Sequence, residues 1–402
     1  MNRAQHGGVG QQTERQPLQE AYVPVIGDEC LPQQGSEHHH CDGYVIAARN
    51  HVFAGTGIRV GFGNVHRVDQ LTTPSPNDSI AVFAPTATGV LGAKVAAALG
   101  MALSPHEEQE FTGREYKARP LQSVRDRSVY VVQSLFGDSR GSANDRLCQL
   151  LFLIGALKDA GAARVTACVP YLAYARQDRR TEARDPITVR YMAQLFEAMG
   201  MARVVALEVH NLVAFDNAFR CHSVHLEATT LFVQHFAAQS ADHEFAVVSP
   251  DIGGVKRARH FQERLEEALG RTVNFALMDK KRSRGVVSGT LFAGNVGGRC
   301  AIVVDDLISS GTTAARAISA CRREGAVRVE FAATHASFAA EARRLFDHDP
   351  PDKVLVTDSV DLGDDFRPYL QGPLAVLSVA PLIAEAIRGL ENGGSPSEFG
   401  GL

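Results

Sequence analysis

The sequence predicts an α/β protein of two tandem domains, each a mainly parallel sheet flanked by helices. From about residue 79, short runs rich in β-branched residues alternate with helix-like segments that end at glycine. The alternation starts again after residue 227, so each half holds roughly 150 residues, a normal domain size. The 402 residues are 45% hydrophobic, which is enough for a sizeable core in each domain.

The first half contains four strand-like runs separated by helical segments. These segments close at Gly100, Gly161 and Gly200, because glycine readily ends a helix. Strands that alternate with helices of this length indicate parallel βαβ units with both faces of the sheet covered. The predicted strands cover residues 80–84, 128–134, 164–171 and 203–207, and the predicted helices cover 86–99, 145–160 and 188–199.

The second half repeats this pattern and ends in a helix. Its predicted strands cover residues 245–249, 274–278, 301–304, 327–334, 353–357 and 377–379. Its predicted helices cover residues 228–238, 254–269, 314–324 and 380–389.

The two ends of the chain differ from this regular part. Residues 1–75 are rich in Gln, Gly and His with little periodicity, which predicts an extension of uncertain structure. Within it, residues 38–41 read His-His-His-Cys. Consecutive histidines point in different directions and no second ligand pair follows, so we interpret this run as solvated linker. Residues 391–402 form a loop-like tail.

Composition narrows the class of protein. A net charge of −4 gives no basis for non-specific binding to nucleic acid or membrane. The seven cysteines are scattered without a Cys-x-x-Cys pair, which is typical of a reducing compartment. The polar N-terminus lacks a hydrophobic stretch of signal or membrane length, so we expect a cytoplasmic protein.

Ligands of open parallel sheets bind beyond the carboxyl ends of the strands. The strand-like run at 301–304 ends in Asp305 and Asp306, and the loop Ser309, Ser310, Gly311, Thr312 and Thr313 then leads into a helix. Backbone N–H groups at such a helix start bind phosphate, whereas the two acids suit ribose hydroxyls or a cation. The alternative is a strand that ends at an Asp-Ser turn, with a serine capping the helix.

Two further strand ends carry polar groups. Four arginines, Arg176, Arg179, Arg180 and Arg184, occur in nine residues after the third strand. They suit phosphate oxygens or form a solvated charged loop, and the pattern favours neither. His210 follows the fourth strand and suits a metal or a polyphosphate, although a structural role is the more common one for a lone histidine.

The remaining ends lie in the second half. Asp251 stands at the tip of a Pro-Gly-Gly turn, where it either binds Mg²⁺ or ribose or caps the next helix. Residues 279–285 form a basic loop that either closes over a transferring phosphoryl group or is a solvated hairpin tip. Together the strand ends indicate a Mg²⁺-dependent enzyme that joins two phosphorylated substrates.

Four segments carry a resemblance to a known family. Residues 170–187, 247–257, 276–284 and 302–313 resemble phosphoribosyl pyrophosphate synthetase (ribose-phosphate diphosphokinase) over about 79–399. The resemblance implies phosphoribosyltransferase-like domains, at 76–227 on the ATP side, joined by the C-terminal helix 380–390, and at 228–379 on the ribose 5-phosphate side. It also implies transfer of pyrophosphate from ATP to the C1 hydroxyl of ribose 5-phosphate with Mg²⁺, which gives phosphoribosyl pyrophosphate and AMP.

The resemblance also assigns roles to residues. Lys280 and Arg282 match the mobile catalytic pair, and His210 matches the contact to the Mg²⁺–ATP polyphosphate. Because the loop with Phe111 and Glu115 serves the adenine pocket of a neighbouring subunit, the resemblance implies a homo-oligomer built from dimers, up to a hexamer. The implied ATP-binding residues are Phe111, Glu115, Arg176, Gln177, Asp178 and His210; those for ribose 5-phosphate are Asp251, Asp305, Asp306, Ser309, Ser310, Gly311, Thr312 and Thr313; and the metal contacts are His210 and Asp251.

Departures from the family pattern, together with the extension at 1–75, keep alternatives open. Residues 208–210 read Glu-Val-His where the family has Asp-Leu-His, and residues 309–313 lack the usual Asp and second Gly. A non-catalytic regulatory or associated subunit of the same family is one alternative. A phosphoribosyltransferase is another, although it has no need for Arg176, Gln177 or the loop of Lys280.

Overall fold

The computed structural model describes residues 79–239, 243–283, 286–347 and 350–394. For residues 280–283 and 286–290 it describes the course of the backbone only. The predicted extension at 1–75, with its histidine run at 38–41, lies outside the described residues, as do residues 395–402 of the predicted tail.

The first sheet has five parallel strands in the order β1-β4-β5-β6-β7. All five residues of the interior strand β4 are buried, as expected for a sheet with both faces covered. The strands are β1 Ile80–Phe83, β4 Ser128–Val132, β5 Arg164–Val169, β6 Arg203–Leu207 and β7 His222–Leu226, and the helices are α1 Gly89–Ala98, α2 Ala143–Asp159, α3 Thr188–Ala198 and α4 Leu212–Ala218.

An antiparallel hairpin projects from the connection between β1 and β4. It consists of β2 (His106–Glu110) and β3 (Tyr116–Pro120). The two strands are mostly polar and show no alternation of apolar residues, so the sequence did not predict the hairpin. The strand β7 and the helix α4 were also not predicted, because both are short and of mixed polarity.

The second sheet has seven strands in the order β10-β9-β8-β11-β12-β13-β14. All neighbours are parallel except β10, which pairs antiparallel with β9. The strands are β8 Phe245–Ser249, β9 Asn274–Ser283, β10 Val286–Gly294, β11 Cys300–Leu307, β12 Arg328–His335, β13 Lys353–Thr357 and β14 Leu374–Leu377, and the helices are α5 Thr229–Ala237, α6 Val255–Leu269, α7 Thr312–Arg323, α8 Arg344–Asp347 and α9 Ala380–Glu391.

The predicted α/β fold is confirmed, but three predictions in the second half were wrong. The backbone at 279–283 continues β9 rather than forming a loop, because it pairs with β10. The strand β11 runs through both acids to Leu307, and the last strand lies at 374–377 rather than 377–379. In the first two cases hydrogen bonding to a neighbouring strand outweighs local polarity, and the last strand is the apolar run that pairs with β13.

The two sheets share one layer of helices. A continuous apolar cluster joins inward residues of the first sheet, such as Val82, to inward residues of the second, such as Val247 and Ile302. Helices α1, α5, α6 and α9 supply the side chains between them, including Phe236 and Ile387. Two further clusters cover the outer faces of the sheets.

Helix α9 is tied to the first sheet at its end. The Tyr130 hydroxyl, in the buried strand β4, donates to Oε1 of Glu391 at 2.6 Å, and Arg388 donates to the Ala98 carbonyl oxygen. A salt bridge of 2.7 Å joins Lys94 of α1 to Asp358, which follows β13. Polar contacts thus reinforce the apolar layer between the sheets.

Two observations bear on the surroundings of the protein. Over the described ranges, none of the helices has the length and apolar character needed to cross a membrane. The five cysteines in the described part of the chain, Cys148, Cys168, Cys221, Cys300 and Cys321, are all free thiols.

We predict that Tyr130→Phe lowers the free energy of unfolding by about 1–2 kcal/mol, because Glu391 loses a buried hydrogen bond. Urea unfolding followed by circular dichroism measures this change. The exposed Val327→Ala, at a position that follows α7, is the control and should be nearly neutral. Equal stability of the two variants would contradict the proposed anchoring of α9.

Candidate functional site

A cleft opens between the carboxyl ends of strands from both sheets. Its walls come from the ends of β5 and β6 in the first sheet and of β11 and β12 in the second. This is the position at which open parallel sheets bind ligands. The lining residues that carry chemistry are Tyr171, Arg176, Glu208, His210, Asp306 and His335.

His210 and Asp306 form a direct polar link across the cleft. Nδ1 of His210, which follows β6, lies 2.7 Å from Oδ2 of Asp306 in β11. The His210 side chain is 41% exposed, whereas that of Asp306 is 9% exposed. A partly open imidazole therefore faces the cleft while a buried carboxylate fixes its orientation.

Arg257 of α6 connects three acids behind this pair. Its Nε lies 3.3 Å from Oε1 of Glu208, its Nη1 3.5 Å from Oδ1 of Asp305, and its Nη2 3.6 Å from Oδ2 of Asp306. Arg257 ends the segment 247–257 that resembles the family, but no role was predicted for it, because it lies on an ordinary amphipathic helix. One guanidinium thus partly neutralises an acidic cluster.

The adjacent acids Asp305 and Asp306 ionise differently. Burial and the negative charge of Asp306 raise the pKa of Asp305 well above its usual range. Burial also opposes ionisation of Asp306, but the His210 hydrogen bond and the Arg257 charge outweigh it and lower its pKa. At neutral pH, Asp306 is therefore the ionised member, and Asp305 carries a proton it is able to donate.

The predicted phosphate loop leads directly into α7. Gly311 directly precedes the helix and adopts a left-handed conformation with φ of 75°, which suits glycine because it has no β-carbon. Ser309 and Ser310 are exposed, and the Ser310 and Thr312 hydroxyl oxygens lie 3.1 Å apart. The half-buried Thr313 continues the first turn. The loop offers N–H groups and hydroxyls to an anion.

Asp251 caps the turn before α6 with one of its oxygens. Oδ1 accepts a hydrogen bond of 3.0 Å from the backbone N–H of Gly254. The Ser249 hydroxyl donates to the Asp251 carbonyl oxygen at 2.7 Å and tightens the turn. This bond closes the turn and orients the carboxylate, but the helix-capping role that the sequence left open is not the one observed, because α6 begins after Gly254 without a side-chain cap.

The arginine-rich segment meets the cleft at its first residues. Arg176 lines the cleft, and the Gln177 side-chain oxygen accepts from the Thr188 hydroxyl at 2.5 Å. Asp178 accepts a hydrogen bond of 2.7 Å from the side-chain amide of Asn211. Because Asn211 follows His210 directly, Asp178 supports the position of that histidine.

The other predicted site residues lie on two hairpins. Phe111, 44% exposed, and Glu115 close the turn between β2 and β3, where the Phe111 N–H donates to the Glu115 carbonyl oxygen at 2.8 Å. Lys280 and Arg282 lie in β9, where the structure describes the backbone and not the side chains. Within the described residues, the cleft lining includes neither hairpin, and no group of three or more His, Cys, Asp or Glu side chains is arranged to hold a metal ion.

Comparison with known proteins decides the family. Residues 80–200 match a family model for the N-terminal domain of ribose phosphate pyrophosphokinase, and residues 288–399 match one for the phosphoribosyl synthetase-associated domain. The ribose-phosphate pyrophosphokinase of Caldanaerobacter subterraneus subsp. tengcongensis is 35% identical, over 80% of this chain and 98% of that protein. The chain belongs to the ribose-phosphate pyrophosphokinase family. The Listeria ivanovii enzyme of this name is 33% identical over 79% of this chain and 96% of its own length.

A solved member of the ribose-phosphate pyrophosphokinase family has the same fold. The phosphoribosylpyrophosphate synthetase of Mycobacterium smegmatis matches with a TM-score of 0.70 and 32% identity, over 79% of this chain and 100% of that one. The predicted family and the two tandem phosphoribosyltransferase-like domains are confirmed. The protein is an enzyme of the ribose-phosphate diphosphokinase class, as predicted.

We predict that Asp305→Asn stabilises the ligand-free enzyme at alkaline pH. Since folding raises the pKa of Asp305, the wild type loses stability as pH rises from about 4, the unfolded value, towards the raised value. Each unit of such a shift corresponds to about 1.4 kcal/mol, so the variant should gain at least about 1 kcal/mol at pH 8.

The same gain should vanish below about pH 3, where Asp305 is protonated in both the folded and the unfolded state. Urea unfolding at several pH values measures it, with the exposed Asp159→Asn as control. A stabilisation that grows towards acid pH would contradict the assignment of the proton to Asp305.

Proposed function

We propose that the protein transfers pyrophosphate from ATP to the C1 hydroxyl of ribose 5-phosphate, which gives phosphoribosyl pyrophosphate and AMP. The observation that carries this proposal is the contact of 2.7 Å between His210 and Asp306. It places a group suited to polyphosphate against a group suited to sugar hydroxyls, each at the carboxyl end of its own sheet. An enzyme that joins two phosphorylated substrates needs this arrangement.

The second sheet would bind ribose 5-phosphate. The 5-phosphate would accept hydrogen bonds from the N–H groups and hydroxyls of the loop Ser309–Thr313 at the start of α7. Ionised Asp306 would accept from a ribose hydroxyl, and protonated Asp305 would donate to one. Asp251, oriented by its turn, would contact the ribose and Mg²⁺.

The first sheet would bind ATP. Arg176 would pair with phosphate oxygens from the cleft wall, and Gln177 and Asp178 would complete the segment that holds the nucleotide. His210 would face the polyphosphate through Nε2, since Nδ1 is held by Asp306. Phe111 and Glu115 would serve the adenine pocket of a neighbouring subunit from the tip of the hairpin.

The donor atoms present fit a magnesium ion that enters with ATP. Asp251 offers a carboxylate, and oxygen ligands of this kind are the ones Mg²⁺ prefers. His210 would contribute its free ring nitrogen beside the polyphosphate. When bound, the ion neutralises negative charge on the phosphate oxygens.

Lys280 and Arg282 would supply positive charge to the transferring group. Both residues lie on β9, which pairs with β10 to form the hairpin at the edge of the second sheet. Positive groups that reach the phosphoryl oxygens only in the transition state lower the barrier without tightening substrate binding.

An exposed apolar surface supports assembly into a homo-oligomer. Phe152 of α2 is 50% exposed, and Tyr191 and Leu195 of α3 are 53% and 48% exposed. These two helices cover the outer face of the first sheet, away from the shared layer. We propose that this surface joins subunits of a dimer-based assembly, and that the free thiols reflect a cytoplasmic location.

The proposal is tested by incubating the full-length protein with ribose 5-phosphate, ATP and Mg²⁺ and measuring AMP release. We expect AMP and phosphoribosyl pyrophosphate in equal amounts, both dependent on ribose 5-phosphate. Absence of AMP above background would refute the proposed reaction. Activity that requires a second, different chain would instead identify a regulatory subunit.

We predict that Lys280→Ala lowers kcat by about a hundredfold or more while the KM for ATP changes by less than about threefold. The reason is that its charge would act in the transition state alone. Lys158→Ala, at the end of α2, is the control and should retain full activity. Unchanged turnover of Lys280→Ala would remove that residue from the mechanism.

A further inference from the structure

Glu208 occupies an unusual backbone conformation two residues before His210. Its φ of 46° lies in the left-handed region, which a residue with a β-carbon adopts only at a cost. The side chain is 10% exposed, so its carboxylate is also largely removed from water. Such a residue keeps this conformation only when its surroundings fix it.

Three hydrogen bonds tie the segment 208–210 to the end of β7 and to the residues that follow it. The Glu208 N–H donates to the Leu226 carbonyl oxygen at 2.8 Å, and the Ala228 N–H donates to Oε2 of Glu208 at 3.2 Å. The next amide, of Val209, donates to Nε2 of His225 at 3.2 Å. These bonds tie the segment to β7 and to the start of α5.

The second sheet holds the same residue from the opposite side. Nε2 of His335, at the end of β12, lies 3.3 Å from the Glu208 carbonyl oxygen, and Nε of Arg257 lies 3.3 Å from Oε1 of Glu208. Burial lowers the pKa of His335, so its ring is neutral at physiological pH. Since a carbonyl oxygen only accepts, Nε2 of His335 carries the hydrogen.

The His335 ring is itself fixed on its other edge. Its Nδ1 lies 2.9 Å from the Ser359 hydroxyl oxygen, and the Tyr171 ring packs against it edge to face with centroids 5.1 Å apart. Tyr171 follows β5 of the first sheet, so His335 is held between residues of both sheets. The donor that reaches Glu208 is therefore rigid.

We infer that Glu208 is a positioning residue, through which His335 and Arg257 of the second half fix the direction of His210. This inference rests on the proposed function of His210 at the polyphosphate. Both the backbone N–H and the carbonyl oxygen of Glu208 are hydrogen-bonded, and each of its two carboxylate oxygens has a partner. The segment therefore directs the His210 side chain towards Asp306. Arg257 extends the same control to Asp305 and Asp306, because it contacts both.

The contacts distinguish this role from ordinary packing. A side chain that only filled space would be replaceable by any group of equal volume. Here the Glu208 carbonyl oxygen requires an N–H donor at the position of Nε2 of His335. The side-chain amide of His335→Gln is able to supply that donor, whereas His335→Leu is not. Likewise Glu208→Gln keeps an oxygen for the Ala228 N–H but loses the charge that faces Arg257.

The experiment compares His335→Leu, His335→Gln and Glu208→Gln with the wild type as full-length proteins. Hydrogen–deuterium exchange of peptides covering residues 207–213 reports the segment directly, without substrates. We expect exchange there to quicken about tenfold in His335→Leu and Glu208→Gln, while peptides from β4 keep wild-type protection. His222→Leu, an exposed histidine at the start of β7, is the matched control.

Kinetics of AMP release then tests the catalytic consequence. We expect kcat of His335→Leu and Glu208→Gln to fall at least about tenfold, with KM for either substrate changed less than about threefold, and His335→Gln to recover most of the loss. The inference would be overturned if hydrogen exchange at residues 207–213 in His335→Leu and Glu208→Gln kept the wild-type rate. It would also be overturned if exchange there were faster while kcat stayed unchanged.

Two outcomes keep the inference separate from the proposed reaction. If the wild type releases no AMP, the proposed reaction is refuted. If Glu208→Gln leaves hydrogen exchange at residues 207–213 unchanged, the inference is refuted, because Glu208 then does not hold the segment. If His335→Leu does not fold, Glu208→Gln decides, since it preserves the volume of the side chain.

Discussion

The charge balance around Arg257 is the constraint on which the site depends. Three acids from two different strand ends, Glu208, Asp305 and Asp306, converge on this single guanidinium in a region largely removed from water. Acids so placed repel each other, and the arrangement persists because Arg257 neutralises part of the charge, His210 forms a hydrogen bond with Asp306, and one carboxyl keeps its proton. The two halves of the enzyme are thus held in register by the chemistry that would also bind substrate.

The sequence predicted the elements that carry strong local signals. Apolar runs such as 245–249 and 203–207 match the observed strands at both ends, because burial on two faces leaves little choice of side chain. The positions of Asp306 and His210 at strand ends were likewise predictable. Their mutual contact was not, since it joins residues 96 positions apart in the sequence.

The errors have a common physical origin. The residues 106–120 form a hairpin and 279–283 extend a strand because a partner strand satisfies their backbone groups, and no pattern within either segment reveals that partner. Arg257 and His335 were missed for a related reason. An arginine on an amphipathic helix and a histidine at the end of a buried strand look ordinary until the other sheet places an acid and a carbonyl oxygen beside them.

The layer of helices shared by both sheets limits how the enzyme is able to move. Rotation of one half against the other about a hinge would pull apart buried side chains such as Phe236 and Ile387 and expose them to water, at about 25 cal/mol for each Å² of apolar surface. A clamshell motion of the two halves is therefore strongly disfavoured. Substrate entry and product release would then involve local movement of the loops at the mouth of the cleft, and not rotation of whole domains.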